Sequence, residues 1–289
     1  MSERLINLAR DSGVAQIVVT RGGEVRLDEA FDAAPQEVYA VQKGVLAVLI
    51  GIAQEQYLCE THDAINHHLA PEWTTVGPWE EAKLTIEILM DMTTGMDDSL
   101  APLGEIGKTW RYNNIAYQYL KRILNEHTGL TLQDLSDDWL FSKIGMNQTT
   151  WYDRETRMPD GAPLSGLRST AGDLSRLGNA ILEGGSAFTG DQWFLSQLGR
   201  PGSDENPAWG LLWWNNASPH FMVPNSEKRF DGPILPAAPN DLIAARGARG
   251  NHLAFSRDEQ LVAAWTVIDD GEPNRRLERD LWEEIAKLR

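Results

Sequence analysis

The spacing of apolar residues along the chain changes period several times, and each change marks an element. Leu5, Ile6 and Leu8 share one side of a helix predicted over residues 2–11, which Ser12-Gly13 ends. The β-branched run 15–20, the Gly22-Gly23 turn and a second run over 24–30 predict a hairpin. Beyond Pro35, Val41, Val45, Val48 and Ile52 recur at helical spacing, in a helix expected over 40–54. That helix is apolar nearly all round, as one at the centre of a core would be.

The pattern then turns helical and loop-rich. Residues 65–69 lead into a Trp/Pro/Gly-rich connection over 71–79, and helices are expected over 84–92, 115–127 and 170–183, with Gly95, Gly129 and Gly184-Gly185 as their stops. Residues 209–215 read as strand, and 217–240 as a Pro-rich loop near the mouth of a site. Three strands follow over 241–245, 252–256 and 260–268, and a last amphipathic helix over 274–288 carries Leu277, Leu281, Trp282, Ile285 and Leu288. Strands at both ends with helices between them predict an α+β fold, an antiparallel sheet flanked by terminal helices plus an inserted all-helical lobe. The expected division is a sheet lobe over 1–60 and 186–289 and a helical lobe over 61–185, with the site between them.

Composition narrows the functions open to such a chain. With 289 residues it is long enough to bury a large core without staples. Its net charge of −16 argues against nucleic acid and anionic membrane as partners, since both need a basic surface. No apolar run reaches the ~20 residues of a membrane span. The start of the chain lacks the pattern of a secretory leader, so a cytoplasmic location is expected. The lone Cys59 cannot close an internal disulfide and reads as a buried structural thiol. His62, His67 and His68 lack the i, i+4 pairing of a zinc site and read as surface or capping residues, so no metal is expected.

Three segments carry candidate chemistry. In Ala40-Val41-Gln42-Lys43 the lysine lies three residues beyond position 40, so a group carried there would sit beside its ammonium on the helix. Trp110-Arg111-Tyr112-Asn113-Asn114 precedes a helix, and either asparagine could instead serve as its cap. Ala244 to Gly250 joins two strands through Arg246, Gly247, Ala248 and Arg249, a turn in its plainest reading. Trp110, Trp209, Trp213 and Trp214 are candidates to line a pocket for an apolar group, against the alternative of core packing.

Together these segments resemble the serine β-lactamase and penicillin-binding-protein hydrolases, nearest the class C β-lactamase and esterase branch. Ala40 to Lys43 resembles their Ser-x-x-Lys signature with the nucleophilic serine replaced, and Tyr112 with Asn114 resembles their Tyr-x-Asn motif. The segment around Gly247 resembles the strand that carries Lys-Thr-Gly or His-x-Gly, but Ala245 stands at the basic position and departs from that pattern. Residues 89–96 and 166–174 look like the family stretches "L-L-x-M-T-S-G" and "G-L-x-S-T-A-x-D-L".

The resemblance implies a β-lactamase/transpeptidase-like fold and an acyl-enzyme hydrolase acting on a small-molecule ester or amide, without a cofactor. It implies Lys43 and Tyr112 as proton-transfer groups, Tyr112 with a lowered phenol pKa. The Ala40 and Ala248 N–H groups would form an oxyanion hole, and Asn114, Arg246 and Gly247 would contact substrate. With alanine at position 40 the chain itself is expected to bind ligand without turnover. It reads as a serine-to-alanine inactivated hydrolase, with a natural ligand-binding pseudoenzyme and an acyltransferase as the alternatives.

Overall fold

In a computed structural model, residues 2–188, 192–268 and 274–288 are described; residues 189–191 and 269–273 of the expected carboxy-terminal segments lie outside them. A seven-stranded antiparallel sheet runs in the order Glu24–Ala30, Val14–Arg21, Leu261–Val267, His252–Ser256, Ile243–Arg246, Trp213–Asn215, Trp209–Gly210. The first hairpin lies where the sequence predicts it, and its inner strand pairs on the far side with Leu261–Val267, Val19 opposite Ala263. Strand Leu261–Val267 is buried along its whole length, as befits a strand covered on both faces. The terminal helices Ser2–Asp11 and Leu277–Ile285 pack together, and helix Ala171–Leu182 packs on the sheet.

The helix Gln42–Glu55 holds the centre, with every residue from Gln42 to Ala53 buried. It meets the sheet at Gly44, where a Cβ would come within 2.8 Å of both Trp213 and Ala245. Only a residue without a side chain allows that approach. Its entry is a 3-10 turn over Tyr39–Val41, so the expected start at residue 40 is two residues early for α-helix.

The middle of the chain is not all-helical, a correction to the sequence reading. Thr150–Arg157 and Pro163–Ser169 pair as antiparallel strands, and Gln36–Glu37 adds to the second. The outer of these strands is polar and largely exposed, so it carries none of the alternation that betrays a half-buried strand. The expected strand over 209–215 is a hairpin, Trp209–Gly210 and Trp213–Asn215, and its two turn residues Leu211 and Leu212 sit at φ 49° and 65°. The Pro-rich segment is less irregular than expected, since it contains the paired strands His220–Met222 and Arg229–Asp231.

Candidate active site

A cavity of about 520 Å³ opens where the entry of the central helix meets the end of strand Ile243–Arg246. Ala40, Lys43, Tyr112, Asn114, Arg246, Gly247 and Ala248 all line it, so three segments distant in sequence converge on one space. Trp214, Val223 and Pro224 complete part of its wall, the last two from the Pro-rich segment.

Backbone geometry sets position 40. Tyr39 takes φ 50°, a left-handed conformation that costs a non-glycine residue roughly 1 kcal/mol. The Val38 carbonyl accepts the Val41 N–H at 3.1 Å and abuts Gly247, where a Cβ would stand 2.3 Å from that oxygen. Gly247 itself is extended, at φ −111° and ψ 163°. Its lack of a side chain is needed for close approach, not for backbone freedom.

Lys43 is 2% exposed, and its Nζ donates to Asn114 Oδ1 at 3.2 Å. The ammonium also lies 4.6 Å from the ring centroid of Tyr112 and 4.1 Å from that of Tyr117. Burial, reinforced by the Arg154 guanidinium and partly opposed by Asp98, pulls its pKa down to about 7. Near neutral pH the amine is therefore poised to accept a proton.

Neither asparagine caps the helix that follows, and only Asn114 reaches the lysine. Asn113 is fully buried and its Oδ1 accepts the Ile115 and Ala116 N–H groups at 2.8 Å, which closes the turn over 114–117 ahead of helix Gln118–Thr128, whose own N-cap, Tyr117, makes no side-chain capping bond. Asn114 faces the lysine, and its own N–H is held by Asp98 Oδ1 at 2.8 Å.

Tyr112 differs from expectation in its electrostatics. Burial, with Tyr117 and Asp98 adding to it against Arg246, raises the phenol pKa above its ordinary value. The lysine meets the face of the ring, so it does not stabilise a phenolate through its hydroxyl. Tyr112 is a protonated donor here.

Arg246 lines the cavity but is already engaged. Its Nε lies 3.0 and 3.1 Å from the two carboxylate oxygens of Glu278, and its Nη2 also bonds Glu278. Trp282 Nε1 donates to His252 Nε2 at 3.3 Å, which leaves His252 Nδ1 to donate to Glu278 Oε1 at 3.1 Å. Burial alone would raise the Glu278 pKa, but Arg246 and His252 outweigh it and hold it at about 2.

Three of the four candidate tryptophans lie behind the wall. Trp110, Trp209 and Trp213 are 3%, 1% and 0% exposed and do not line the cavity, whereas Trp214 does. Successive strand residues point to opposite faces, so Trp213 packs on the central helix and on Phe255 while Trp214 faces the opening. Tyr112, Trp209, Trp214 and Trp110 stack edge-on in a chain that backs the tyrosine.

Sequence reasoning missed several residues that line the cavity, among them Gln42, Tyr117, Gln118, Arg154, Arg275 and Glu278. Lys121, just behind them and 4% exposed, donates to Gln42 Oε1 at 2.6 Å and to Ser165 Oγ at 2.9 Å. Burial, with Lys43 and Arg154 nearby, lowers its pKa well below that of an ordinary lysine. The one available signal was the i, i+3 spacing of Gln118 and Lys121 on a buried helix face. Cys59 is buried and its thiol is pushed up to about 12 by burial, then by Asp63 and Glu60. His68 bonds Asp63 and His127, and among the described residues no group of three His, Cys, Asp or Glu is placed to hold a metal ion.

The sequence profile of the beta-lactamase family matches residues 5–287. The chain belongs to that family. No curated protein sequence is significantly similar to this beta-lactamase-family chain.

Solved structures share its fold at low identity. One from Bacteroides dorei, provisionally described as a beta-lactamase, superposes with a TM-score of 0.77 at 14% identity, covering 99% of this chain and 97% of the other. A D-alanine carboxypeptidase from Burkholderia cenocepacia gives 0.71 at 18%, covering 99% and 97%. A Bacillus anthracis protein provisionally described as a 6-aminohexanoate-dimer hydrolase gives 0.71 at 17%, covering 98% and 81%. Its structural neighbours thus include hydrolases, and no helix among the described residues is long and apolar enough to cross a membrane.

Proposed function

We propose that this is the site of a serine hydrolase that forms an acyl-enzyme with a small-molecule ester or amide, and that alanine at position 40 leaves it able to bind such a ligand but not to turn it over. The observation that carries the reading is the buried Lys43 amine with a pKa of about 7, held by Asn114 between two tyrosine rings on the cavity that Ala40 lines. Such an amine is costly to bury and has an obvious use beside a hydroxyl.

With serine at position 40, neutral Lys43 takes the hydroxyl proton as the oxygen attacks the carbonyl carbon. The N–H groups of residue 40 and Ala248, both on the cavity wall, are the candidates to hold the oxyanion. The proton then passes from the Lys43 ammonium to the leaving oxygen or nitrogen, with the Tyr112 hydroxyl donating a hydrogen bond to that atom, and the bond to the leaving group breaks. Water repeats the sequence on the acyl-enzyme and restores the serine.

The wall draws on side chains from the segments 39–43, 246–250 and 274–278 at the sheet-bearing ends and from the segment 112–118, with Arg154 and Leu164, in the middle, though not on every residue of each. That supports a site between two lobes, 1–60 with 186–289 and 61–185. The test is to convert Ala40→Ser and assay aryl esters, small amides and β-lactams. Turnover should rise on at least one class, and no gain on any of them leaves a binding protein.

A further inference from the structure

A side-chain amide can turn end for end, and its two ends differ: the oxygen accepts and the NH₂ donates. Asn114 must present its oxygen to Lys43, because a protonated amine has only donors to offer. Packing does not settle that choice, since Asn114 is exposed. The carboxylate of Asp98 settles it. Its Oδ1 accepts the Asn114 backbone N–H at 2.8 Å, and its Oδ2 faces Asn114 Nδ2 at 3.5 Å, the long limit of a hydrogen bond. An ionised carboxylate only accepts, so it takes the NH₂ end and leaves the oxygen for the lysine.

Asp98 is itself placed by the buried neighbour of Asn114. The Asn113 Nδ2 group donates to the carbonyls of Met96 at 3.2 Å and Asp97 at 2.7 Å. Beyond them the loop is closed by its own bonds: Asp97 Oδ1 accepts the Ser99 and Ala101 N–H groups at 2.8 and 3.2 Å, and the Leu100 N–H donates to the Asp97 carbonyl at 2.9 Å. The two asparagines thus work as a pair. Asn113 grips the backbone just before Asp98, and Asn114 is gripped by the Asp98 side chain. The same carboxylate acts on Lys43 through its charge, favouring the ammonium against burial and Arg154.

We propose that Asp98 is a positioning residue for Lys43, clamping Asn114 so that its amide oxygen and not its amide nitrogen faces the amine. Asp98 does not line the cavity, so it acts through Asn114 and touches no ligand. The proposal adds a residue to the same site and rests on the reading of Lys43 as its proton acceptor. Without the clamp an exposed amide turns freely, and in half its orientations a donor meets a donor at the lysine.

The experiment follows proton uptake by Lys43 on the Ala40 chain, which needs no serine. Nuclear magnetic resonance of isotope-labelled lysine gives the titration, and the Lys43 signal is the one lost in Lys43→Met. In Asp98→Ala and in Asp98→Asn the midpoint, about 7 in the parent, should fall by about half a unit or more, because the ammonium loses both the charge and the oriented acceptor that favour it. At least half of that fall should persist at about 0.5 M potassium chloride, where a bare surface charge is screened. In the Ala40→Ser background the rise of kcat/KM with pH should move to lower pH with the amine, and kcat should drop about tenfold while KM changes less than about threefold. Thermal unfolding checks that each variant is folded, and Asp98→Asn keeps the shape of the parent side chain.

A midpoint that stays or rises in both variants, or a fall that salt abolishes, overturns the clamp. Turnover by the Ala40→Ser protein is read separately from the titration. A hydrolase whose Lys43 ignores Asp98 and a clamped amine in a chain without turnover are therefore distinct results.

Discussion

Replacing Lys43 with methionine tests the buried amine directly, without any reaction. A lysine whose proton affinity falls from 10.5 to about 7 on folding carries, at about 1.4 kcal/mol for each tenfold change, a penalty of about 5 kcal/mol while it stays protonated. The sign follows from proton binding. Between pH 7 and 10.5 the unfolded chain holds the proton and the folded one has released it, so the parent protein gains stability as pH rises through that window.

Lys43→Met removes the penalty but strips Asn114 Oδ1 of its donor, a loss of about 1 kcal/mol. The variant should therefore be more stable than the parent by about 4 kcal/mol at pH 6 and by about 1 kcal/mol at pH 9. Urea unfolding of both proteins at pH 6, 7.5 and 9 gives the difference. A gap that does not narrow with pH, or a methionine variant weaker than its parent at pH 6, refutes the account of Lys43.

In the Ala40→Ser protein, kcat/KM toward an aryl ester should follow the neutral fraction of Lys43, about a tenth at pH 6 and about nine-tenths at pH 8, and level off above; a rate that climbs on toward pH 10 removes Lys43 as the base. Glu278→Gln should cost about 3 kcal/mol at pH 7, since the carboxyl falls from 4.5 to about 2 on folding; that contribution is present above pH 4.5 and should fade as pH drops toward 2 in acid titrations of the two proteins. Gly247→Ala should destabilise the fold by about 1–3 kcal/mol by thermal unfolding, because the new Cβ meets the Val38 carbonyl. In the serine background it should also lower kcat more than it raises KM, as the two sides of position 40 are pushed apart.

What the sequence made legible is what periodicity and spacing encode. The central helix announced itself because it is apolar on every side, and Lys43 followed from three-residue spacing. The face of each tryptophan was less visible, since Trp213 and Trp214 are identical in composition and differ only in strand phase. The Leu211-Leu212 turn had no local signature at all. Leucine does not favour positive φ, and the turn is held by Asp91, whose Oδ1 accepts the Leu211 N–H at 2.8 Å from a distant part of the chain. The phenol of Tyr112 was misjudged because sequence gives the identity of a neighbour but not whether it meets a ring by its face or its edge. Lys121 stayed hidden for a related reason, as its partners Gln42 and Ser165 lie on separate elements.

The burial of Lys43 also bears on the history of the chain. If Lys43→Met stabilises the protein as predicted, a lineage with no serine at position 40 and no other use for the lysine is free to lose it, and any such change is favoured wherever stability limits abundance. Ala40 with Lys43 intact is thus a combination that mutation erodes. On the hydrolase reading proposed above, that combination fits a serine-bearing parent sequence, or a ligand that still requires an amine at that place.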